Sequence, residues 1–388
     1  MKNIPVHADS GFDTDVFIVG GGPAGLAAAI ATRRKGFHVT VADGAAPPIE
    51  KACGEGLMPA TLAALAALGV EFDRDEGRVF RGISFVGDDV NVCADFPQAS
   101  GLGVKRPLLQ ERLAARAAAC GVHLLWSTPV TGFAAGIVQL QRDQIRARWI
   151  VGADGQGSRV RRWSGLESSA LATTIRFANR CRYRMAPWSN YVEIHWGRHV
   201  QAYVTPIGTD EVCVATMADT AERAAFDAAL DELPQLRRRL CGVTPSSRNR
   251  GAVSATRTLQ RVQRDNVALL GDASGGADAI TGDGLRLAFR QSVALGEALA
   301  AGDLTQYQRS HREIARRTRM MGNLMLQLGR SPRLRRRVLR VLRNTPDLFA
   351  RLLDAHASEA SSKQLLSTGA MFGLRFLTAS CSSMNIEP

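Results

Sequence analysis

Residues 15–44 read DVFIVGGGPAGLAAAIATRRKGFHVTVADG. Residues 16–19 are a β-prone apolar run, residues 24–32 an alanine-rich segment suited to a helix, and Gly36 ends that helix before a second strand at residues 39–41. Strand, glycine turn, helix and strand make a βαβ unit, which implies a parallel sheet. Gly20, Gly22 and Gly25 are spaced G-x-G-x-x-G at the strand-to-helix turn. That spacing permits a tight bend, close approach of a pyrophosphate and close helix packing, while the helix N-terminus offers N–H groups and a positive dipole end. Asp43 closes the second strand, where a carboxylate accepts from ribose hydroxyls. An acid there disfavours a 2′-phosphate, so FAD or NAD is expected rather than NADP.

Two further glycine-rich turns follow strand-like runs. Residues 151–158, VGADGQGS, place Asp154-Gly155 before Arg159, Arg161 and Arg162. This is either an ordinary Asp-Gly turn or a second cofactor contact. Residues 266–289, NVALLGDASGGADAITGDGLRLAF, end an apolar run at Gly271-Asp272. Asp272 there can accept from a sugar-chain hydroxyl. Gly282 and Gly284 precede a helix whose N–H groups would meet a polar ring edge or phosphate. Bulky side chains would block a flat ring from this backbone, and the segment has few.

The chain of 388 residues is 45% hydrophobic, enough for a large core and about two domains. No apolar run is long enough to span a bilayer, and the first fifteen residues have no apolar core of a secretory leader. Seven scattered cysteines form neither a CxxC nor a zinc spacing, which fits reduced thiols and a cytoplasmic location. The net charge of +13 fits an arginine-rich composition, an acidic cofactor or an anionic surface. Nucleic-acid binding is not expected, since the basic residues lack interleaved aromatics or a reading motif. The expected fold class is α/β: a Rossmann-like FAD-binding domain with a parallel sheet, an inserted antiparallel β-rich substrate domain and C-terminal helices. The expected cofactor domain is residues 14–80, 101–176 and 262–302. The substrate domain is 81–100 with 177–261, and the helical region is 303–388.

All three turns in this order resemble the FAD-dependent aromatic hydroxylase superfamily typified by para-hydroxybenzoate hydroxylase, most nearly its geranylgeranyl reductase-like branch. The resemblance covers about residues 14–300. It implies that Gly20, Gly22 and Gly25 grip the FAD pyrophosphate and that Asp43 binds the adenosine ribose. Arg106, in VKRPLLQERL, looks like the start of the family's Arg-x-x-Leu helix and would contact the phosphate–ribitol region. The backbone at Val130 would meet adenine. Asp154 and Gly155 match the Asp-Gly motif associated with FAD and a transient nicotinamide cofactor. Gly271 and Asp272 match the Gly-Asp motif that binds ribitol, with Gly282 and Gly284 beside the isoalloxazine. Residues 51–59, KACGEGLMP, look like the reductase branch's segment beside the flavin. Cys53 in it is either redox-active or simply a small buried residue.

Several residues depart from these patterns. Gly275 stands where monooxygenases carry His, and Ala279 where both branches carry Pro. The isoprenoid reductases' Tyr-x-Trp-x-Phe-Pro appears only as Gln201-Ala-Tyr203-Val-Thr205-Pro206. The halogenases' Trp-x-Trp-x-Ile-Pro is absent. The expectation is an FAD oxidoreductase reduced by NADH or NADPH, favoured as a monooxygenase of a hydrophobic aromatic or polyketide-like metabolite in secondary metabolism. A C=C reductase is the alternative, and a flavin-free binding protein on the same scaffold a third reading. The substrate wall is expected from the β-rich insert: Trp188, Tyr191, His195, Trp196, Gln201 and Tyr203, about half of which face away at strand spacing. Tyr203 is the expected orienting residue. The Arg-rich segment 330–343 is a solvated helix face or a contact for a membrane or an acyl-carrier protein.

Overall fold

The computed structural model describes residues 11–87, 90–276, 278–357, 371–372 and 375–376. The expectations placed on residues 1–10 and on the end of the helical region, residues 377–388, lie outside the described residues. Strand Thr14–Val19 is the centre of the first sheet, and its Val16, Phe17 and Ile18 are fully buried. It pairs in parallel with Val39–Ala42 on one side and Gln144–Gly152 on the other. His123–Leu125 and Val267–Leu269 extend the parallel sheet at its two sides, and Gln263–Arg264 adds an antiparallel edge. Near-continuous apolar strands of this kind belong to a sheet covered on both faces.

Helices Pro23–Arg33, Arg106–Ala119 and Gly284–Ala300 pack with this sheet into one core. Each of the first two starts on a proline or has one at its second position, where no helical N–H is lost. At the glycine turn, a Cβ on Gly25 would lie 1.9 Å from the Gly20 carbonyl oxygen. Any side chain there would push the helix off the strand.

The second sheet has seven strands in the order Arg250–Leu259, Ala170–Arg184, Glu211–Ala218, Val200–Pro206, Tyr191–Trp196, Gly82–Val86 and Asn91–Asp95. It is antiparallel except at one junction, where Tyr191–Trp196 runs parallel to Gly82–Val86. The insert is the expected antiparallel β-rich sheet, with this one parallel junction. The cause of the junction is topological: the two strands come from separate insertions and are not joined by a hairpin. Strand Ala170–Arg184 runs in this sheet from its first residue, so the sheet begins before residue 177. A three-stranded sheet of Gly56–Leu57, Gly101–Gly103 and Arg78–Phe80 joins the two halves.

The chain then forms helices Leu304–Arg330, Pro332–Asn344 and Pro346–Ala357. Tyr307, fully buried, donates its hydroxyl to the Leu269 carbonyl at 2.7 Å and ties the long helix to the parallel sheet. Ser331 caps the next helix by accepting from the Leu334 N–H at 3.3 Å. The last two helices lay Val338, Leu339, Leu342, Phe349 and Leu353 against the apolar face of the second sheet. The Arg-rich segment is therefore half core. Among the described residues no helix is long and apolar enough to cross a membrane.

Candidate functional site

One cavity of about 980 Å³ runs from the glycine turn of the first sheet to the C-terminal helices. It is bordered by Gly20, Gly22, Asp43, Arg106, Val130, Asp154, Gly155, Gly271, Asp272, Gly282, Gly284 and Tyr203. Residues up to 264 positions apart thus meet around a common cleft, because each glycine turn lies at the C-terminal end of a parallel strand. Gly25 does not border it; its place is under the turn, in helix packing.

The main chain is bare where the cleft is closest. A Cβ built on Gly22, Gly155 or Gly284 would meet nothing within 4 Å. Gly22 caps helix Pro23–Arg33, and Gly284 opens helix Gly284–Ala300. Two helix N-termini, with their unpaired N–H groups, therefore face one space. Asp43 accepts from the Gly21 N–H at 2.7 Å and from the Ala45 N–H at 2.8 Å, one bond to each oxygen. Each oxygen keeps a lone pair for a further donor.

Asp154 is turned mostly onto its own turn. It accepts from Ser158 Oγ at 2.5 Å, Arg159 N at 2.7 Å and Val160 N at 3.1 Å. Of the arginines that follow, Arg161 points inward and is 1% exposed. It donates to the carbonyls of Ala273 at 3.0 Å and Gln156 at 2.9 Å and pairs with Glu167. Arg161 thus bolts the Asp-Gly turn to the Gly-Asp turn, a role that its place in a run of arginines did not disclose.

Arg106 is a buried cation that borders the cleft. It is 7% exposed, its side chain hydrogen-bonds to no described residue, and Nη1 is buried without a partner. Burial lowers its pKa, against the pull of Cys53, Asp272 and Glu55. Its backbone N–H donates to Glu55 Oε1 at 2.9 Å. Glu55 is itself buried, at a φ of 59°, and takes Arg182 Nε at 2.9 Å and Nη2 at 2.5 Å. Glu50 binds Arg180 at 2.8 Å and Arg250 at 3.2 Å. These pairs clamp the segment 50–56 between the two sheets. Removing one partner of a buried pair costs about 3–5 kcal/mol, so a shift of this loop is expensive. Lys51, on the same segment, reaches Asp272 Oδ2 at 2.8 Å, and both residues border the cleft. Cys53 has no disulfide; the Cys213 thiol, whose pKa burial raises, donates to its carbonyl at 3.6 Å.

A bare double helix terminus, an unpartnered buried guanidinium and two carboxylates with free lone pairs fit a dinucleotide with a pyrophosphate, a ribose and a polyol. By these observations, FAD would lie with its phosphates over Gly22 and Arg106, its ribose at Asp43, its ribitol at Asp272 and its ring against residues 279–284.

Beyond the ring position the cavity continues as an apolar arm, and here the sequence reading needs correction. Of the six residues expected to wall it, only Tyr203 borders the cavity. Trp188 Nε1 and His195 Nε2 both bind Glu193, at 3.0 and 2.9 Å, on the other face of the sheet. Tyr191 is held between Arg81 and Asp95, each at 2.7 Å. Trp196 packs on Phe85 at 5.0 Å, and Gln201 accepts from Arg176 at 2.9 Å. The strand alternation that exposes Val192 and Ile194 to the arm turns Tyr191, Glu193 and His195 away. Half of the wall comes instead from helices: Met321, Met325, Leu328, Val338, Leu342 and Phe349. Tyr203 donates to the Ile280 carbonyl at 2.7 Å, and burial raises its pKa, so it stays protonated and holds the loop beside the ring.

Fold and cleft together define an FAD-binding protein with a Rossmann-like parallel sheet. The chain belongs to the FAD binding domain family, matched over residues 13–306. Among relatives, it is 27% identical over 318 residues to the menaquinone reductase of Mycolicibacterium smegmatis, covering 76% of this chain and 78% of that protein. It is 26% identical over 309 residues to the rifampicin monooxygenase of Streptomyces venezuelae, covering 74% and 64%. A solved geranylgeranyl bacteriochlorophyll reductase-like protein from Thermoplasma acidophilum has the same fold, with a TM-score of 0.70, 20% identity, and coverage of 94% and 98%. The chain is thus an FAD-binding oxidoreductase of the hydroxylase-like superfamily, near its geranylgeranyl reductase branch.

Proposed function

We propose that this protein is an FAD-dependent reductase that adds hydride and a proton to a carbon–carbon double bond of a long, lipid-soluble molecule, with NADH or NADPH as the source of electrons. The observation that carries this reading is the arm: it is apolar from the sheet side (Phe85, Val192, Ile194) to the helix side (Met321, Met325, Leu342). Among the described residues that border the cavity there is no histidine, and the carboxylates Asp43, Glu55, Asp154 and Asp272 stand with the cofactor turns. A phenol hydroxylation gains from a base beside the substrate, and this arm offers none. Met-rich walls adapt to a flexible chain. FAD would supply the hydride. The chain's own part is to exclude water from the arm, seat the double bond beside residues 279–284, and hold that loop in place through the Tyr203 hydroxyl's bond to the Ile280 carbonyl. The likeness to a menaquinone reductase supports this reading.

The likeness to rifampicin monooxygenase favours a second reading, oxygen insertion into an aromatic or polyketide-like molecule. One experiment separates them. Yellow holoenzyme is reduced without oxygen and mixed with a polyprenylated quinone or a polyprenyl lipid, and product masses are read. Flavin reoxidation with a gain of two hydrogens supports the reductase. Turnover that needs oxygen and adds an oxygen atom selects the monooxygenase. A protein that stays colourless after soaking with FAD selects a binding role.

A further inference from the structure

The basic charge of this chain is concentrated. Residues 314–346 contain ten arginines and no aspartate or glutamate, so they hold ten of the net thirteen positive charges. They form the second half of helix Leu304–Arg330 and all of helix Pro332–Asn344, the two helices that wall the apolar arm. Arg335 is buried with its guanidinium 5.8 Å from the Trp196 ring centre, but Arg333, Arg336, Arg340 and Arg343 are exposed. Their spacing of three, four and three residues puts them on one helix face. On the longer helix, Met320 is 59% and Leu324 49% exposed, one turn apart, and both border the cavity. Arg316 and Arg330 flank them along the same exposed face.

We propose that this rim docks on an anionic lipid bilayer and so sets the mouth of the arm against the membrane. Arginines alone would suit any acidic partner. Paired exposed apolar side chains among them, at the opening of an apolar cavity, ask for anionic groups and hydrocarbon in one place. A bilayer surface offers both at the depth where an interfacial helix lies. An acidic carrier protein would meet the charge but leave Met320 and Leu324 against a polar surface. The rim extends past residue 306, beyond the part of the chain matched to the family.

The test is co-sedimentation of the full-length, FAD-loaded protein with vesicles of phosphatidylcholine alone or mixed with phosphatidylglycerol, with no turnover read. Binding to the mixed vesicles is expected, weak or absent on the neutral ones, and falling as salt rises. Arg333→Gln with Arg336→Gln should weaken it by about twenty-fivefold, from roughly fivefold per arginine. Met320→Asp with Leu324→Asp should abolish it, with the melting curve showing that the fold is kept. Equal partition into both vesicles, partition into neither, or binding that survives the arginine pair would overturn the proposal. So would a stoichiometric complex with an acidic acyl-carrier protein in the absence of vesicle binding.

Discussion

Replacing Arg106 with methionine separates two demands on one side chain. Its backbone N–H bond to Glu55, 2.9 Å long, survives the change because only main chain is used. What goes is a guanidinium with no hydrogen bond to a described residue and with Nη1 fully buried. Without cofactor, that cation is a buried charge facing Asp272, Glu55 and Cys53 only at range, and burial already depresses its pKa. Substituting an apolar chain of similar length relieves about 1–3 kcal/mol. For a chain of 388 residues this raises the apo melting temperature by about 1 °C per kcal/mol. With cofactor the sign reverses. Charge-assisted hydrogen bonds to phosphate contribute about 1.5–3 kcal/mol, so the FAD dissociation constant should rise about tenfold to a hundredfold. The assay is a flavin-fluorescence titration beside thermal melting of apoprotein. A variant that melts lower and binds FAD as before would mean that Arg106 serves the fold alone, and the reasoning would fail.

Other groups give further outcomes. His311 lies 2.9 Å from Ser274 Oγ, and burial, aided by Arg319 and Arg312, lowers its pKa to about 3. The unfolded chain therefore takes up this proton first. Its contribution is whole above about pH 6.5 and shrinks as pH falls toward the folded value, by about 2 kcal/mol near pH 5. Urea unfolding near neutrality and near pH 5 should show that loss, and His311→Gln should flatten it. Arg161→Met strands the carbonyls of Ala273 and Gln156 and should cost about 3 kcal/mol in urea unfolding; unchanged stability would deny that it joins the two turns. Tyr203→Phe removes the donor to the Ile280 carbonyl, about 1–2 kcal/mol, and should shift the flavin absorbance of the holoenzyme. If spectrum, turnover and substrate affinity all stay put, Tyr203 orients nothing.

Legibility tracked how local each feature was. The βαβ unit at residues 15–44 could be read because its strand, glycines, helix and acid are consecutive, and each glycine answers a steric need within a few residues. The other two turns were readable for the same reason, and their meeting follows from one rule: crevices in parallel sheets lie at the strands' C-terminal ends. Arg161 and Arg162 show the limit. Both sit in one basic run, yet one is 1% exposed and the other faces solvent. Only the position of Ala273, 112 residues on, decides which.

The substrate wall was misplaced for a related reason. Aromatic density drew attention to residues 188–203, but side-chain type says nothing about which face of a strand it occupies. The parity is set by Val192 and Ile194, plain aliphatics that point into the arm and thereby send Tyr191, Glu193 and His195 the other way. The helical half of the wall was hidden by its own charge. In PRLRRRVLRVLRN the arginines dominate any reading of polarity, while the stripe Val338, Leu339, Val341 and Leu342 is four residues wide and buried. Such a helix cannot stay solvated on both sides, because burying each of those aliphatics is worth about 1.5–3 kcal/mol. It must lie on something apolar, and the exposed face of a sheet carrying Phe85 and Ile194 is the surface available. The arm is the space left between them, so it is a property of how two amphipathic surfaces meet and belongs to neither segment read alone.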